Sequence, residues 1–279
     1  MPQTLPSIVL PQLSILRDTA GPRVVGRSAG IPFEIEEHAL KLAVKFGVQP
    51  EGTTCPPGVF VVRSQSGPLI FLTTFAELPG HESTLAFRTT YFDKSVRGGI
   101  DPLDYESRFP AKGAKGDLDP IEWEGATGPQ RTVATVRDIL KAGDSSLLLG
   151  VAQALLDGCK IALIQSEVGP NFAREVWQLL PEMARAELTV ATFACSVELN
   201  VDLAVLPDGV PIPSGFLTAN QAREYPEGRY ELALQLAAEN GNQAELDRLF
   251  ARKTSNQILR MVVAMILFAL VAGLILKFI

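Results

Sequence analysis

The side chains best suited to catalysis are few in this chain: two histidines, His38 and His81, and three cysteines, Cys55, Cys159 and Cys195. The cysteines are odd in number and widely spaced, so their pattern indicates neither a disulfide framework nor a CxxC metal site. We expect them to be reduced cytosolic thiols. Cys195 ends a predicted strand, a position where nucleophiles occur, although a small buried hydrophobic side chain gives the same pattern.

The acidic side chains of one predicted loop are candidate ligands for a divalent cation. Their spacing does not follow the EF-hand loop, and the prolines after two of the aspartates are typical of turns. No glycine-rich phosphate-binding pattern stands between a strand and a helix. We therefore predict no catalytic residue, no cofactor and no metal site, which favours an adaptor over an enzyme. The acidic side chains of this loop are Asp101, Asp104, Glu106, Asp117 and Asp119.

Residues 1–110 are predicted to form an N-terminal α+β domain. A short strand precedes an amphipathic helix, which is followed by a hairpin around the sequence SQSGP and by a third strand. His38 lies on the helix beside Glu36 and Glu37, and because neighbouring helical side chains point apart, a solvated face is favoured over a ligand cluster. The apolar face of this helix consists of Ile35, Ala39, Leu42, Ala43 and Phe46, and Gly47 ends it.

The pattern changes in the second half of the chain. Residues 111–131 predict a linker or long loop, and residues 132–213, where helices and strands alternate, predict an α/β middle domain. Asp144 is a candidate N-cap and Gly158 a candidate helix stop. Residues 214–257 predict a helical segment with a break at residues 240–242. The expected fold class is α/β, with an α+β N-terminal lobe and an α/β second lobe, followed by that helical segment and a single C-terminal transmembrane helix.

The C-terminal sequence is apolar without interruption. From residue 261 to residue 276 there is no charged side chain and no proline. Sixteen residues span roughly 24 Å as a helix, and Arg260 and Lys277 at the two ends can reach the headgroups of a bilayer about 30 Å thick. We therefore predict a transmembrane tail anchor over residues 258–279.

Charged residues around this sequence predict its orientation. Arg248, Arg252, Lys253 and Arg260 precede the apolar run, and Lys277 alone follows it. The positive-inside rule then places the N-terminal region in the cytoplasm, and the first residues do not have the pattern of a secretory signal.

Two small residues within the run, Ala269 and Gly273, are four apart. This spacing allows close approach of two helices and predicts a homodimer formed through the anchor.

Three stretches resemble the N-terminal and middle domains of the bacterial GTPase-associated proteins. They are "VVGRSAGIPFEIEEHALKLAVKFGVQP", "LAFRTTYFDKSVRGGIDPLDYESRFP" and "WQLLPEMARAELTVATF", and the resemblance covers residues 23–206. It implies an adaptor in an NTPase-centred defence or signalling system. It also implies that a set of loop residues forms a partner surface. The alternative interpretation of the same residues is a structural loop, held by Asp-Pro turns and by a buried Phe. The residues carried over are Arg88, Asp101, Pro102, Arg108, Phe109 and Pro110.

These patterns lead to two hypotheses. The first is a membrane-tethered cytoplasmic adaptor that recruits a GTPase or another P-loop NTPase, since tethering raises the local concentration of a binding module. The alternative is a membrane-bound enzyme that uses Cys195 or the acidic loop. Nucleic acid is not expected as a partner, because the net charge is −6 and the basic residues form no cluster.

Overall fold

A computed structural model describes residues 8–64, 67–80, 84–124 and 131–251. The strands within these residues are β1 (Ile8–Leu10), β2 (Gln12–Asp18), β3 (Gly21–Arg27), β4 (Gly58–Arg63), β5 (Leu69–Glu77), β6 (Leu85–Asp93), β7 (Gly116–Asp117), β8 (Ile121–Trp123), β9 (Ile161–Ile164), β10 (Val190–Ala191) and β11 (Leu203–Leu206).

Nine α-helices and three short 3-10 helices occur in the described residues. The α-helices are α1 (Phe33–Lys45), α2 (Pro102–Arg108), α3 (Val133–Ala142), α4 (Ser145–Leu156), α5 (Phe172–Leu179), α6 (Glu182–Glu187), α7 (Ala219–Arg223), α8 (Arg229–Glu239) and α9 (Gln243–Phe250). The 3-10 helices are Lys94–Gly99, Gln165–Glu167 and Val197–Leu199.

A mixed nine-stranded sheet, in the order β7-β3-β2-β6-β5-β4-β10-β11-β9, organises the fold. Strands β2 to β6 form antiparallel pairs, as expected for strands joined by hairpins. At the other end β10, β11 and β9 are parallel and are connected through helices or loops. A separate two-stranded antiparallel sheet pairs β1 with β8.

This topology corrects the predicted fold class. The two predicted lobes share one sheet, because β10 pairs with β4 in antiparallel register, Val190 opposite Val61 and Ala191 opposite Phe60. The described residues therefore form one mixed α/β structure rather than an α+β lobe beside an α/β lobe. Pairing between distant strands depends on backbone hydrogen bonds, which leave no mark in the amino-acid pattern of either strand.

The predicted transmembrane helix is not part of this architecture. Among the described residues no single helix is long and apolar enough to cross a membrane, and α3 and α4 meet the length and composition test only together, bent by 116°. The predicted anchor over residues 258–279 lies outside the described residues, and so do His81, the flanking charges and the small-residue pair: Arg252, Lys253, Arg260, Ala269, Gly273 and Lys277.

Several local predictions are confirmed. Helix α1 buries Ala39, Leu42, Ala43 and Phe46 against the sheet, and the predicted hairpin is the antiparallel pair β4–β5. Asp144 caps α4 by accepting a hydrogen bond from the Leu147 amide at 3.1 Å.

Other elements differ from their predictions. Strands β1 and β2 have no counterpart among the predicted elements. The sequence AELTVATF, residues 186–193, predicts a longer strand than the two residues of β10. The predicted linker, residues 111–131, contains the short strands β7 and β8. The helical segment consists of α7, α8 and α9, with the break at 240–242 as predicted. The proposed domain boundaries themselves stay predictions.

Candidate functional site

The loop residues predicted to form a partner surface lie around α2. Asp101 caps this helix by accepting a hydrogen bond from the Leu103 amide at 2.9 Å, and its other carboxylate oxygen lies 2.7 Å from Nη1 of Arg185 on α6. Pro102 follows at the first helical position and is buried. Both residues therefore contribute to attaching α2 to the second half of the chain.

The remaining predicted surface residues meet at the end of α2. The guanidinium of Arg88 lies 5.2 Å from the ring centroid of Phe109, and its Nε donates a hydrogen bond to Gln12 at 2.7 Å. Arg108 lies 4.5 Å from the ring of Trp123. Arg108 and Pro110 are exposed, whereas Phe109 is half-buried. The structure thus brings these side chains together, with Arg108 and Pro110 on the outside.

Three of the five acids of this loop, Asp101, Asp104 and Glu106, are engaged in ion pairs. Glu106 pairs with Arg174 on α5, and Asp104 pairs with Arg108 at 3.4 Å. Burial raises the pKa of Glu106, and the charge of Arg174 opposes that shift. Within the described ranges, no group of three or more His, Cys, Asp or Glu side chains is arranged to hold a metal ion.

Cys195 is buried beside Cys55. The Cys195 amide donates to the carbonyl of Phe46 at 2.8 Å, and the Cys55 amide donates to Oε1 of Glu77 at 2.7 Å. Interaction between the two thiols raises the pKa of Cys55 and lowers that of Cys195, while the Cys55 thiol donates a hydrogen bond to the carbonyl of Pro56 at 3.8 Å. Burial raises the pKa of Cys55 further. Both cysteines are free, with 4% and 5% of their surface exposed.

Arg17 connects this thiol pair to the surface. Its charge further lowers the pKa of Cys195 and opposes the rise for Cys55. The guanidinium lies 5.5 Å from the rings of both Phe46 and Phe87 and donates to the carbonyl of Ala43 at 2.6 Å. Burial lowers the pKa of Arg17, and the two thiols oppose that shift.

Arg17 also lines a cleft of about 720 Å³. This volume is within the range of ligand-binding pockets. Its walls come from the turn between β2 and β3, from the end of α1 and from the loop that follows α1. Apolar side chains form much of the rim: Pro22, Val44, Val48, Pro50 and Leu85.

The sequence pattern indicates Cys195 as a possible nucleophile, but it does not indicate that Cys55 and Arg17 are its neighbours. Gly47 explains part of the proximity, because its φ is +89° and a Cβ there would lie 2.6 Å from the carbonyl carbon of Cys195. The glycine was assigned only as a helix stop. The sequence contains no signal for the contact itself, since the three side chains come from distant segments.

Comparison with known proteins adds no assignment. No protein-family model matches the chain, and no match was found among curated proteins. The resemblance to the GTPase-associated proteins therefore stays a prediction.

Proposed function

We propose that this protein is an interaction module held at a membrane, with residues 1–257 in the cytoplasm, which recruits a protein partner. The uncharged sequence from 261 to 276 supports the membrane location. The resemblance to the GTPase-associated proteins suggests a GTPase or another P-loop NTPase as the partner, within a bacterial defence or signalling system.

The observation that carries the proposal is the apolar rim of the 720 Å³ cleft. Val44 lies in the last turn of α1 and Val48 lies beyond the end of this helix, and they are 56% and 87% exposed. Single exposed apolar side chains are common on protein surfaces, but adjacent ones at the edge of a concave site are typical of an interface. Arg17 within the cleft adds a cation, and aromatic or arginine contacts often dominate binding energy at such sites.

The contacts between the two halves of the chain also favour a binding module. The ion pairs Asp101–Arg185 and Glu106–Arg174 join α2 to α5 and α6. A surface built on packed elements loses little conformational entropy when a partner binds.

The test is affinity purification of the tagged full-length protein from detergent-solubilised membranes, followed by mass spectrometry. We expect a P-loop NTPase in stoichiometric amount. The variant Val48→Glu should lose this partner, because it places a charge on the apolar rim.

Met183→Glu is the matched control, since Met183 is also an exposed apolar side chain but lies on α6. It should retain the partner. Purification of the protein alone, or equal partner recovery with Val48→Glu, would rule out this proposal.

A thiol-dependent enzyme is the second candidate, favoured by the Cys55–Cys195 pair. A hydrogen bond from one thiol to another stabilises a thiolate, the nucleophilic form of cysteine. Interaction with Cys55 and the positive charge of Arg17 both lower the pKa of Cys195 and so favour its thiolate. In the acidic loop Asp101, Asp104 and Glu106 are in ion pairs, and its described acids form no group of three that could hold a metal ion.

Alkylation by iodoacetamide, followed by mass spectrometry at pH 7, tests this candidate. Under the enzyme hypothesis Cys195 reacts faster than Cys159, although Cys159 is less buried. Cys55→Ala should then slow the labelling of Cys195, whereas Cys159→Ala should not. Labelling of Cys195 only after denaturation would identify it as a packing residue.

A further inference from the structure

A cavity of about 250 Å³ lies on a different part of α1 from the cleft described above. Its walls come from α1, from the end of β4 and from the segment between β10 and β11. The residues that line it with polar side chains are His38, Lys45, Arg63, Ser64, Thr189, Asn200 and Asp202. It therefore combines groups from both halves of the chain.

The cavity carries two cations without a partner carboxylate. Neither Lys45 nor Arg63 forms an ion pair with any residue that the structure describes. The buried guanidinium of Arg97 is close enough to Arg63 for that charge to lower the pKa of Arg97. Positive charge thus accumulates on this side of the cavity.

Asn200 offers a neutral hydrogen-bond donor to the same space. Its Oδ1 accepts a hydrogen bond from Nζ of Lys160 at 2.5 Å, which leaves the amide nitrogen as a donor. The residue has φ of 56°, in the left-handed region where Asn is enriched. This conformation follows the 3-10 helix Val197–Leu199 and places Asn200 beside the cavity.

His38 contributes an imidazole without a hydrogen-bond partner. Its Nε2 is buried and unpaired among the described residues, and its ring stacks on Phe71 with centroids 4.4 Å apart. Burial lowers the pKa of His38, and the charges of Lys45 and Lys41 lower it further. An anion in the cavity would place negative charge beside this imidazole.

Asp202 is the one acid among the described residues that line the cavity. Its Oδ2 accepts hydrogen bonds from the amide and the hydroxyl of Thr189, at 2.8 and 2.7 Å. These bonds spread part of its charge, and the other carboxylate oxygen can accept a hydrogen bond from a hydroxyl group of a ligand. The positive charges of Lys45 and Arg63 in the cavity thus outnumber the single carboxylate of Asp202.

We propose that this cavity binds a phosphate group, held by Lys45, Arg63 and Asn200 and contacted by His38. Lysine and arginine are the side chains that most often bind phosphate, arginine through paired donors and lysine as a point charge. The volume suits one phosphate or a small phosphomonoester rather than a nucleotide. The ligand is thus free inorganic phosphate or the phosphate group of a small metabolite.

The two histidines of the chain provide the measurement. Imidazole proton NMR of the full-length protein in detergent micelles reports on His38, which the variant His38→Gln assigns, and His81 serves as an internal reference. Inorganic phosphate and glycerol phosphate are titrated separately against chloride at equal ionic strength. We expect a saturable shift of the His38 signal and a higher pKa for that imidazole. The probe with the lower dissociation constant identifies the source of the phosphate group.

Charge variants separate a site from general screening. Lys45→Gln and Arg63→Gln should each raise the dissociation constant about tenfold, the loss expected for a hydrogen bond to a charged group. Arg248→Gln is the control, because Arg248 is exposed, lies on α9 and is paired with Glu245 at 2.6 Å. It should leave the constant unchanged.

Three results would overturn the proposal: no saturable shift with either probe, an equal shift with chloride, or an equal effect of Arg248→Gln. Each would show that the cations act only as surface charge. These outcomes are independent of the partner purification, since the cavity and the Val48 cleft use different residues.

Discussion

At the scale of single residues, Arg97 is a charged side chain that is almost completely buried. It is 3% exposed, donates hydrogen bonds to the carbonyls of Ile100 and Leu188, and lies 5.7 Å from the ring of Trp177. Burial lowers the pKa of Arg97 to about 10, so the side chain remains charged at pH 7. Leu188 precedes β10, which means that Arg97 connects the two halves of the chain.

Replacing Arg97 should therefore be costly. Arg97→Ala leaves two carbonyls without their donor and opens space beside Trp177, so we expect a loss of about 2–4 kcal/mol in the free energy of unfolding. Urea denaturation measures it. Arg108→Ala, at an exposed arginine that also stacks on a tryptophan, should cost less than about 1 kcal/mol. Equal losses would contradict the role assigned to burial.

His38 makes the free energy of unfolding depend on pH, and the direction of this dependence follows from its lowered pKa. Its pKa in the folded protein lies below the ordinary value of 6.5, so the unfolded chain binds the proton more tightly. Stability contributed by the neutral imidazole is present above pH 6.5 and is lost as the pH falls from 6.5 through the folded pKa. The variant His38→Gln leaves the neighbouring charged groups unchanged. These are Lys41 and Lys45, whose charges act on the imidazole, and Arg63 and Asp202, which line the same cavity.

The measurement is the free energy of unfolding of wild type and His38→Gln between pH 7.5 and about 5, in phosphate-free buffer. The wild type should lose more stability than the variant on acidification. Parallel curves would show that the imidazole titrates alike in the folded and unfolded states.

At the scale of elements, the packing of α4 on α7 depends on a glycine. A Cβ on Gly150 would lie 2.0 Å from the carbonyl oxygen of Ala222, a backbone atom that cannot move without shifting the helix. Alanine favours a helix over glycine by roughly 1 kcal/mol, but overpacking costs about 1–3 kcal/mol and is expected to prevail at this contact.

Gly150→Ala should therefore lower the free energy of unfolding by about 1–2 kcal/mol, measured in urea. Gly169→Ala is the control, because no atom lies within 4 Å of a Cβ at that position. Its effect should stay within about 0.5 kcal/mol. Stabilisation by Gly150→Ala would mean that α4 and α7 separate easily.

At the scale of the whole molecule, the continuous sheet predicts cooperative unfolding. The chain has two tryptophans, Trp123 on β8 and Trp177 on α5. They belong to different halves of the sequence but to one structure joined by the β4–β10 pair. A shared sheet and shared ion pairs leave neither half with an independent core.

Fluorescence of Trp123→Phe and Trp177→Phe, each with one remaining tryptophan, reports on the two halves separately during urea unfolding. Circular dichroism of each variant measures its overall unfolding and so accounts for any small difference in stability between the two variants. The fluorescence curve of each variant should coincide with its own dichroism curve. A fluorescence transition at a different urea concentration from the dichroism transition would show that the two halves unfold separately, as expected for two lobes.

The sequence by itself determined the local elements. The apolar periodicity of α1, the hairpin β4–β5 and the cap of α4 at Asp144 depend on residues within one or two turns of each other, so the amino-acid pattern records them. It also revealed the apolar C-terminal run, whose prediction as an anchor depends on composition alone.

Only the tertiary structure decided how these elements combine. The hydroxyl of Thr192 accepts a hydrogen bond from the Val59 amide 133 residues away, beside the β4–β10 pair that merges the two predicted lobes. The Cys55–Cys195 pair and the phosphate cavity arise in the same way, from segments that become neighbours when that pair forms. The apolar pattern of a strand shows that it is buried but does not name the distant strand with which it pairs, and so the local pattern could not predict these contacts.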